Sequence, residues 1–513
     1  MDKPLHSVFI LLVAVLPISL LSQPIIQPLQ RDFVNSSYTQ LSKSDRPYHT
    51  LSKSFISTQF DSIAKDDSGW KRKQHNGLIM RKLRNENLFI VDTFDFKLTI
   101  DPVFNFKIGA DRMDSTNGQV SDNTRGFLVQ GAIGKKLAFY SSFFENQSFF
   151  PQYIDNEIAQ NGVVPGQGRP KVFKDVGYDY AMASGAISYM PAKWLNIQAG
   201  HGKNFIGDGY RSLILSDNSF NYPYLKTTAN FFNNKLSYQL LYASLQHLQR
   251  LPVTTSSEAQ FIRKAGTFHS LSFSPTPLIE ISLVEGIVYQ NWDSSGTKKL
   301  PWNYYMPVIG LNTGVEGYES NSSKVISAVN MRINPLPGKM LYGQFVLDGF
   351  DSNSNNGFQV GLAAFDAFTV KNLVLQIEWN NISQGMYKHQ NEQISYEHYG
   401  GDLAHPTGSD LTELVGMLQY SFRDFFITGK WVYSDRRTPV KNYLSGGVVV
   451  EVLRDEKVVY QDYSIGYLLN SKTNMKIKLG YSLRDLNYSS GSESTAWYYL
   501  SFVTDLQNVY YDF

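Results

Sequence analysis

The sequence predicts an all-β fold: a transmembrane outer-membrane β-barrel of about eighteen antiparallel strands, with a small N-terminal region, partly helical, on the periplasmic side. Three observations predict it. The chain opens with a secretory signal. No later segment carries an apolar run long enough for a membrane helix. From about residue 88 onward, apolar and polar side chains alternate with period two.

Residues 1–22 read as a signal peptide. Lys3 and His6 precede an apolar core from Val8 to Leu21, and Ser22 supplies a small residue before a cleavage point at Gln23. That core is shorter than the ~20 residues of a spanning helix. A membrane protein without membrane helices must satisfy its backbone groups between strands, which requires a closed barrel. The 14% aromatic content and 32 tyrosines suit the aromatic girdles of such a wall. A formal charge of +2 without a basic run argues against a nucleic-acid partner, and zero cysteine excludes disulfides, thiolate nucleophiles and cysteine metal sites.

Residues 23–87 carry Ser, Thr, Lys and Arg with little alternation. They read as an N-terminal periplasmic-side cap or plug, with helices expected at Tyr48 to Ile63 and Leu78 to Leu83, or else as a tether. Residues 88–101 (Phe94, Phe96, Leu98, Ile100) form an extended segment placed before the barrel, which is expected to occupy 102–513. Its strands run from 102–111 to 495–507. In 473–487, for example, Met475, Ile477, Leu479 and Tyr481 alternate with Lys476, Lys478, Gly480 and Ser482. Short turns such as Arg423–Asp424 alternate with long loops near 148–177, 204–221, 292–322 and 384–410, which is the barrel pattern. The last strand is expected to reach Phe513 and to present that residue to the barrel-assembly machinery.

The most distinctive segment is Gly200 to Pro223. Its glycines at 202, 207 and 209 permit close backbone approach. Lys203, Asp208, Arg211 and Asp217 supply charge, and Phe205, Tyr210 and Phe220 supply rings. It reads either as a constriction loop against the lumen wall or as a ligand contact; without a terminal Gly-Lys-Ser/Thr it is no phosphate cradle. Loop aromatics Trp292, Trp302, Tyr304, Tyr305 and Tyr318, and Tyr387, Tyr396 and Tyr399, suit either sugar faces or anchorage at the membrane interface. Arg169, Lys171 and Lys174 form a loop cluster that could hold an anion or simply be solvated. His389, His398 and His405 with Glu392, Glu397 and Asp402 fit no compact ligand spacing, so no metal or cofactor is expected. There is no Gly-x-Ser-x-Gly and no His-Glu-x-x-His, and no catalytic residue is expected.

The segment with Phe205, Gly207, Gly209, Leu213, Leu215, Ser216, Asp217, Asn218 and Pro223 resembles the capsule-assembly Wzi family. The tail, with Thr504, Asp505, Leu506, Asn508, Tyr510, Tyr511, Asp512 and Phe513, looks like that family's Bacteroidetes branch, which includes the gliding-motility protein RemB. The resemblance implies an eighteen-stranded barrel with a helical periplasmic part, a lectin that holds capsular or exopolysaccharide at the cell surface, and, in that branch, a part in gliding. Individual sugar-contacting residues of the family do not map onto these loops.

The expected function is therefore non-enzymatic: an outer-membrane barrel, long loops extracellular and both termini periplasmic, anchoring surface polysaccharide through Lys203, Tyr210, Arg211, Trp302, Tyr304 and Tyr305. The alternatives are a diffusion channel and a structural subunit of a motility or secretion assembly. Expected partners are the polysaccharide, outer-membrane lipid, the assembly machinery and such surface components.

Overall fold

Period-two alternation decides which side of a strand meets lipid, and the computed structural model shows the wall that it builds. The structure describes residues 24–56, 72–114, 118–251, 260–293, 296–349, 355–443 and 449–513. The signal segment and residues 57–63 of the first expected helix lie outside them.

Eighteen antiparallel strands close into one barrel. They are β1 Phe96–Asp111, β2 Gln119–Ile133, β3 Leu137–Phe149, β4 Gly177–Ala192, β5 Leu195–Gly202 and β6 Tyr222–Phe231. Next come β7 Leu236–Leu251, β8 Gln260–Thr276, β9 Ile279–Gln290, β10 Ser323–Leu336, β11 Lys339–Leu347 and β12 Asn356–Ala364. The wall ends with β13 Leu373–Ile382, β14 Leu411–Phe422, β15 Phe425–Tyr443, β16 Val449–Asn470, β17 Met475–Tyr488 and β18 Gly491–Thr504. The pattern works as physics requires: Ile377 and Trp379 are exposed on the outer face, while Glu378 and Asn380 between and beside them are buried inside.

The first strand begins at Phe96, so residues 96–101 of the segment expected before the barrel already form wall. The seam explains this. On one side β1 pairs along its length with β2. On the other, Asn105–Asp111 pair with β18, and Lys97–Ile100 pair with the short strand Phe89–Asp92. That short strand covers an edge that β18 leaves open, which would otherwise expose unpaired backbone groups.

The edge is open because the chain leaves the wall at Thr504. The expectation that the last strand carries Phe513 is corrected: residues 505–513 are not strand and turn into the lumen. Tyr510 and Asp512 are buried, and Phe513 meets Tyr153 at the long-loop end, with ring centroids 5.9 Å apart. The tail's polar groups explain its path, since Asp512 is claimed by Arg211 and Lys430 inside the barrel.

The N-terminal residues 24–56 also run inside the barrel, as a plug from the short-turn end. Helix α1, Arg31–Leu41, buries Val34 and Tyr38 against Met340, Tyr342, Ala363 and Phe365 of the inner wall. A helix over Tyr48–Ile63 is not observed in the described part. Thr50 N–H donates to Glu280 at 3.1 Å, Leu51 C=O accepts from Gly207 N–H at 2.7 Å, and Ser52–Lys53 pair with Phe205–Ile206. These partners commit the backbone to an extended path. Helix α2, Leu78–Arg84, matches its expected place and sits by the short turns, where Arg72 bonds the Leu468 carbonyl and Asp424.

Candidate functional site

Leaving β5, residues 203–221 fold into the lumen and are almost all buried. Two glycines let the backbone press against the wall. A Cβ on Gly209 would lie 2.4 Å from Glu378 Oε2, and one on Gly207, whose φ is 147°, would lie 2.5 Å from Gln344 Nε2. Glu378 accepts from the N–H groups of Tyr210 at 2.6 Å and Arg211 at 3.0 Å. Ser212 Oγ accepts from Ile214 N–H and Leu215 N–H at 3.1 Å each, closing the next turn.

Arg211 is the centre of this loop. Its guanidinium forks onto Glu413 at 2.8 and 3.1 Å and reaches Asp512 at 3.1 Å, with both side chains buried. Lys430 and the Tyr210 hydroxyl also bond Asp512, at 2.9 and 2.6 Å. Burial alone would raise the Asp512 carboxyl, but the Arg211 and Lys430 charges outweigh it and hold the group well below the usual carboxylate range. His405 adds a contact to Glu413 at 3.0 Å. Arg31 of the plug donates to the carbonyls of Gly209 and Tyr210, so loop, tail and plug meet here. A second knot centres on Asp208, which accepts from Tyr38 and Thr50 at 2.6 Å each. Lys203 donates to the Gly166 and Asp217 carbonyls at 2.6 and 2.9 Å, and burial pushes its ammonium down to about 8.

Beside this network lies a cavity of about 500 Å³. It touches Lys107, Lys430, Lys478, Asp462, Trp497 and Tyr499 and reaches the short turn at Arg423–Asp424. Opposed charges and rings suit a hydrated polar solute.

At the long-loop rim the chain assembles a different group. Tyr399 stacks on Phe220 with centroids 4.6 Å apart and meets Phe261 edge-on at 6.2 Å. The Arg250 and Arg169 guanidiniums lie 4.4 and 5.4 Å from the Phe261 ring. Tyr399 holds a left-handed backbone, φ 53°, which costs a non-glycine residue about 1–3 kcal/mol and recurs at ligand sites. Tyr399 and Arg169 were singled out by sequence. Phe220 was read only with the lumen loop, and Phe261 and Arg250 were missed, because strand-end residues carry no local signal of convergence.

The six expected contacts do not converge. Lys203, Tyr210 and Arg211 lie inside the lumen with their charges and hydroxyl paired to protein. Trp302, Tyr304 and Tyr305 lie on the outer wall. Tyr304 is buried between Tyr242 and Tyr289, at 5.2 and 5.7 Å, while Trp302 and Tyr305 are 61% and 58% exposed. The histidines serve the fold: His398 accepts from Gln246 N–H at 3.0 Å, and His389 bonds the Ser320 carbonyl at 2.9 Å. Among the described residues no group of His, Asp and Glu is arranged to hold a metal.

Compared with solved structures, the chain matches Wzi of Escherichia coli, an outer-membrane protein involved in group 1 capsule assembly and described as a carbohydrate-binding β-barrel. The match covers 94% of this chain and 99% of that one, with a TM-score of 0.55 and 14% identity. Weaker likenesses are OccAB2 of Acinetobacter baumannii (TM-score 0.43, 9% identity, 79% of this chain and 97% of that one) and OpdO of Pseudomonas aeruginosa (0.42, 10%, 80% and 96%). No protein-family model and no curated protein sequence matches the chain. The likeness to Wzi establishes the fold, an outer-membrane β-barrel.

Proposed function

We propose that this barrel retains a surface polysaccharide at its long-loop end, without chemistry, while its lumen is kept filled. The observation that carries the reading is the rim cluster of Phe220, Tyr399 and Phe261 with Arg169 and Arg250. Ring faces take up the apolar C–H faces of sugars, and guanidiniums pair with acidic ones. Many weak contacts along a repeating polymer multiply through effective concentration. The whole-length likeness to a barrel described as carbohydrate-binding supports the same reading. Lys203, Tyr210 and Arg211 enter it as the frame that fixes the loop beneath the rim. In this reading the long loops face outward from the cell. A part in gliding, implied by the tail's resemblance, would follow from polymer retention and would be lost with it.

The test is calorimetric titration of the detergent-purified protein with polysaccharide from its own cells. Saturable binding, weakened in a Phe261→Ala, Tyr399→Ala double variant that keeps heat-modifiable gel mobility, supports the proposal. Binding that persists unchanged in that variant removes the rim from it, and no binding at all removes the function. The second reading, a diffusion channel, is favoured by the charged cavity beside the plug. It requires a steady ionic current through the unaltered protein in planar bilayers.

A further inference from the structure

The loop that joins β9 to β10 does not cap the barrel. Strand parity shows where it goes. On β8 the inward set includes Lys264 and Phe268, which contact Ser395 and Tyr396 of a lumen loop. The alternate positions therefore face outward. Lower on that outer face Phe273, Ile281, Leu283, Val329 and Met331 are exposed, as lipid-facing residues should be. Higher up, the outward residues Ala265, His269, Glu285, Ile287, Tyr289 and Val325 are buried. Residues 298–318 cover them, with Leu300, Tyr304 and Tyr318 packed on Ala265, Ile287 and Tyr289.

The polarity of this flap is inverted relative to a solvated loop. Its neutral donors Thr313 and Asn303 point at the barrel. Thr313 donates through N–H and Oγ1 to Glu285 at 2.7 and 2.5 Å, and Asn303 donates to the Tyr289 hydroxyl at 2.9 Å and to Glu316 at 3.1 Å. Five of its large apolar side chains point away: Trp302, Tyr305, Met306, Val308 and Val315 are 39–61% exposed. In water that arrangement would leave apolar surface unburied for no return. Against lipid it is the favoured one, because polar backbone and side-chain groups must be satisfied internally while apolar side chains face the hydrocarbon. Rings with one polar edge favour the boundary between headgroups and acyl chains, and the exposed Lys298 and Lys299 at the start of the flap suit phosphate headgroups.

We infer that residues 298–318 are a membrane-seated flap, lying in the lipid leaflet at the long-loop end with Trp302, Tyr305, Met306 and Val308 against lipid. The flap continues the apolar belt upward on one side of the barrel, across β7 to β10. It makes the belt taller there than elsewhere and fixes how the barrel tilts and which lipids surround that side.

The chain has no cysteine, so a single introduced one is a unique label site. Full-length Tyr305→Cys and Val308→Cys proteins would each be nitroxide-labelled and reconstituted in vesicles of phosphatidylcholine with phosphatidylglycerol. Leu283→Cys on the exposed wall and Lys171→Cys on a long loop are the references. Collision with oxygen should exceed collision with a water-soluble nickel complex at 305 and 308, as at 283, with the opposite balance at 171. A nickel-dominated signal at both flap sites would overturn the inference, as would low access to both reagents, which means a protein covers the flap. An independent readout is the fluorescence lost in Trp302→Phe: bromine-bearing acyl chains should quench that component more than aqueous iodide does, and the reverse result overturns the inference too.

Discussion

Two long loops of similar composition end in opposite places. Residues 203–221 carry Lys, Asp, Arg and several rings and fold into the lumen. Residues 298–318 carry Lys, Glu and several rings and lie on the outer wall. The difference lies in what each loop does with its charges. The inner loop brings full charges to matching charges on the wall and tail, and every donor of Arg211 used in the network has a named acceptor. The outer flap brings neutral donors, Thr313 and Asn303, to the wall carboxylate Glu285 and to Tyr289, and keeps Trp302 and Tyr305 outside. Loop composition therefore tells little about a loop's side of the wall; the wall residue that waits for it tells more.

The largest effect should come from Arg211→Ala. It leaves buried Glu413 with only His405 and Asn380, and Asp512 with Lys430 and Tyr210, a loss of up to about 3–5 kcal/mol. In planar bilayers the variant should pass more current than the parent, in long openings, and its heat-modifiable gel transition should fall. A variant as closed and as stable as the parent would mean that the inner loop is held by something else. Deleting residues 506–513 should have the next largest effect. It removes Asp512 and the Asn508 bonds to Leu29 and Asp217 but leaves Arg211 on Glu413, so openings should be frequent but shorter.

Third, the Phe261→Ala, Tyr399→Ala double variant should weaken polymer binding about tenfold, equivalent to about 1.4 kcal/mol, without changing bilayer current. Fourth, acid should reproduce part of the tail deletion. The Asp512 carboxyl sits below its unfolded value of about 3.9, so its contribution is full above that value and is lost as pH falls through the lower folded one. Current should be flat between about pH 5 and 8 and rise only below about 4. The smallest effect belongs to the flap: Trp302→Ala should leave lumen current unaltered and polymer binding within twofold, and a larger loss of binding would return that residue to the polymer site.

The wall was legible in the sequence because one physical rule, alternation against two solvents, acts at every strand residue. The expected eighteen strands meet eighteen observed ones, and the alternation of 473–487 appears as Met475–Tyr488. The interior was not legible in the same way. Helix α1 is short and packs Val34 and Tyr38 on wall residues some 300 positions later and Leu41 on Tyr48 and Phe55 of the plug, so little beyond its own few turns announces it. Tyr48–Ile56 looks helical in isolation but is pulled straight by Glu280 and Gly207. The tail alternates like a strand, and its inward turn rests on partners far upstream, Arg211 for Asp512 and Asp217 for Asn508 and Tyr510, that no local pattern announces. Of the site, the rings and guanidiniums were visible as residue types, but Phe261 and Arg250 acquire meaning only where two strand ends meet Tyr399.

The path of the tail also constrains the order of events in folding. Arg31 bonds Asn508 across a sequence separation of 477 residues, and the seam joins the first strand of the wall to the last. The segments that fill the interior come from at least four distant parts of the chain, among them the loop carrying Tyr387 and Tyr396, and one of them follows the final strand. Closing the seam and anchoring the tail both rest on contacts between the chain's extremes, the slowest class to form, so both are expected late in folding.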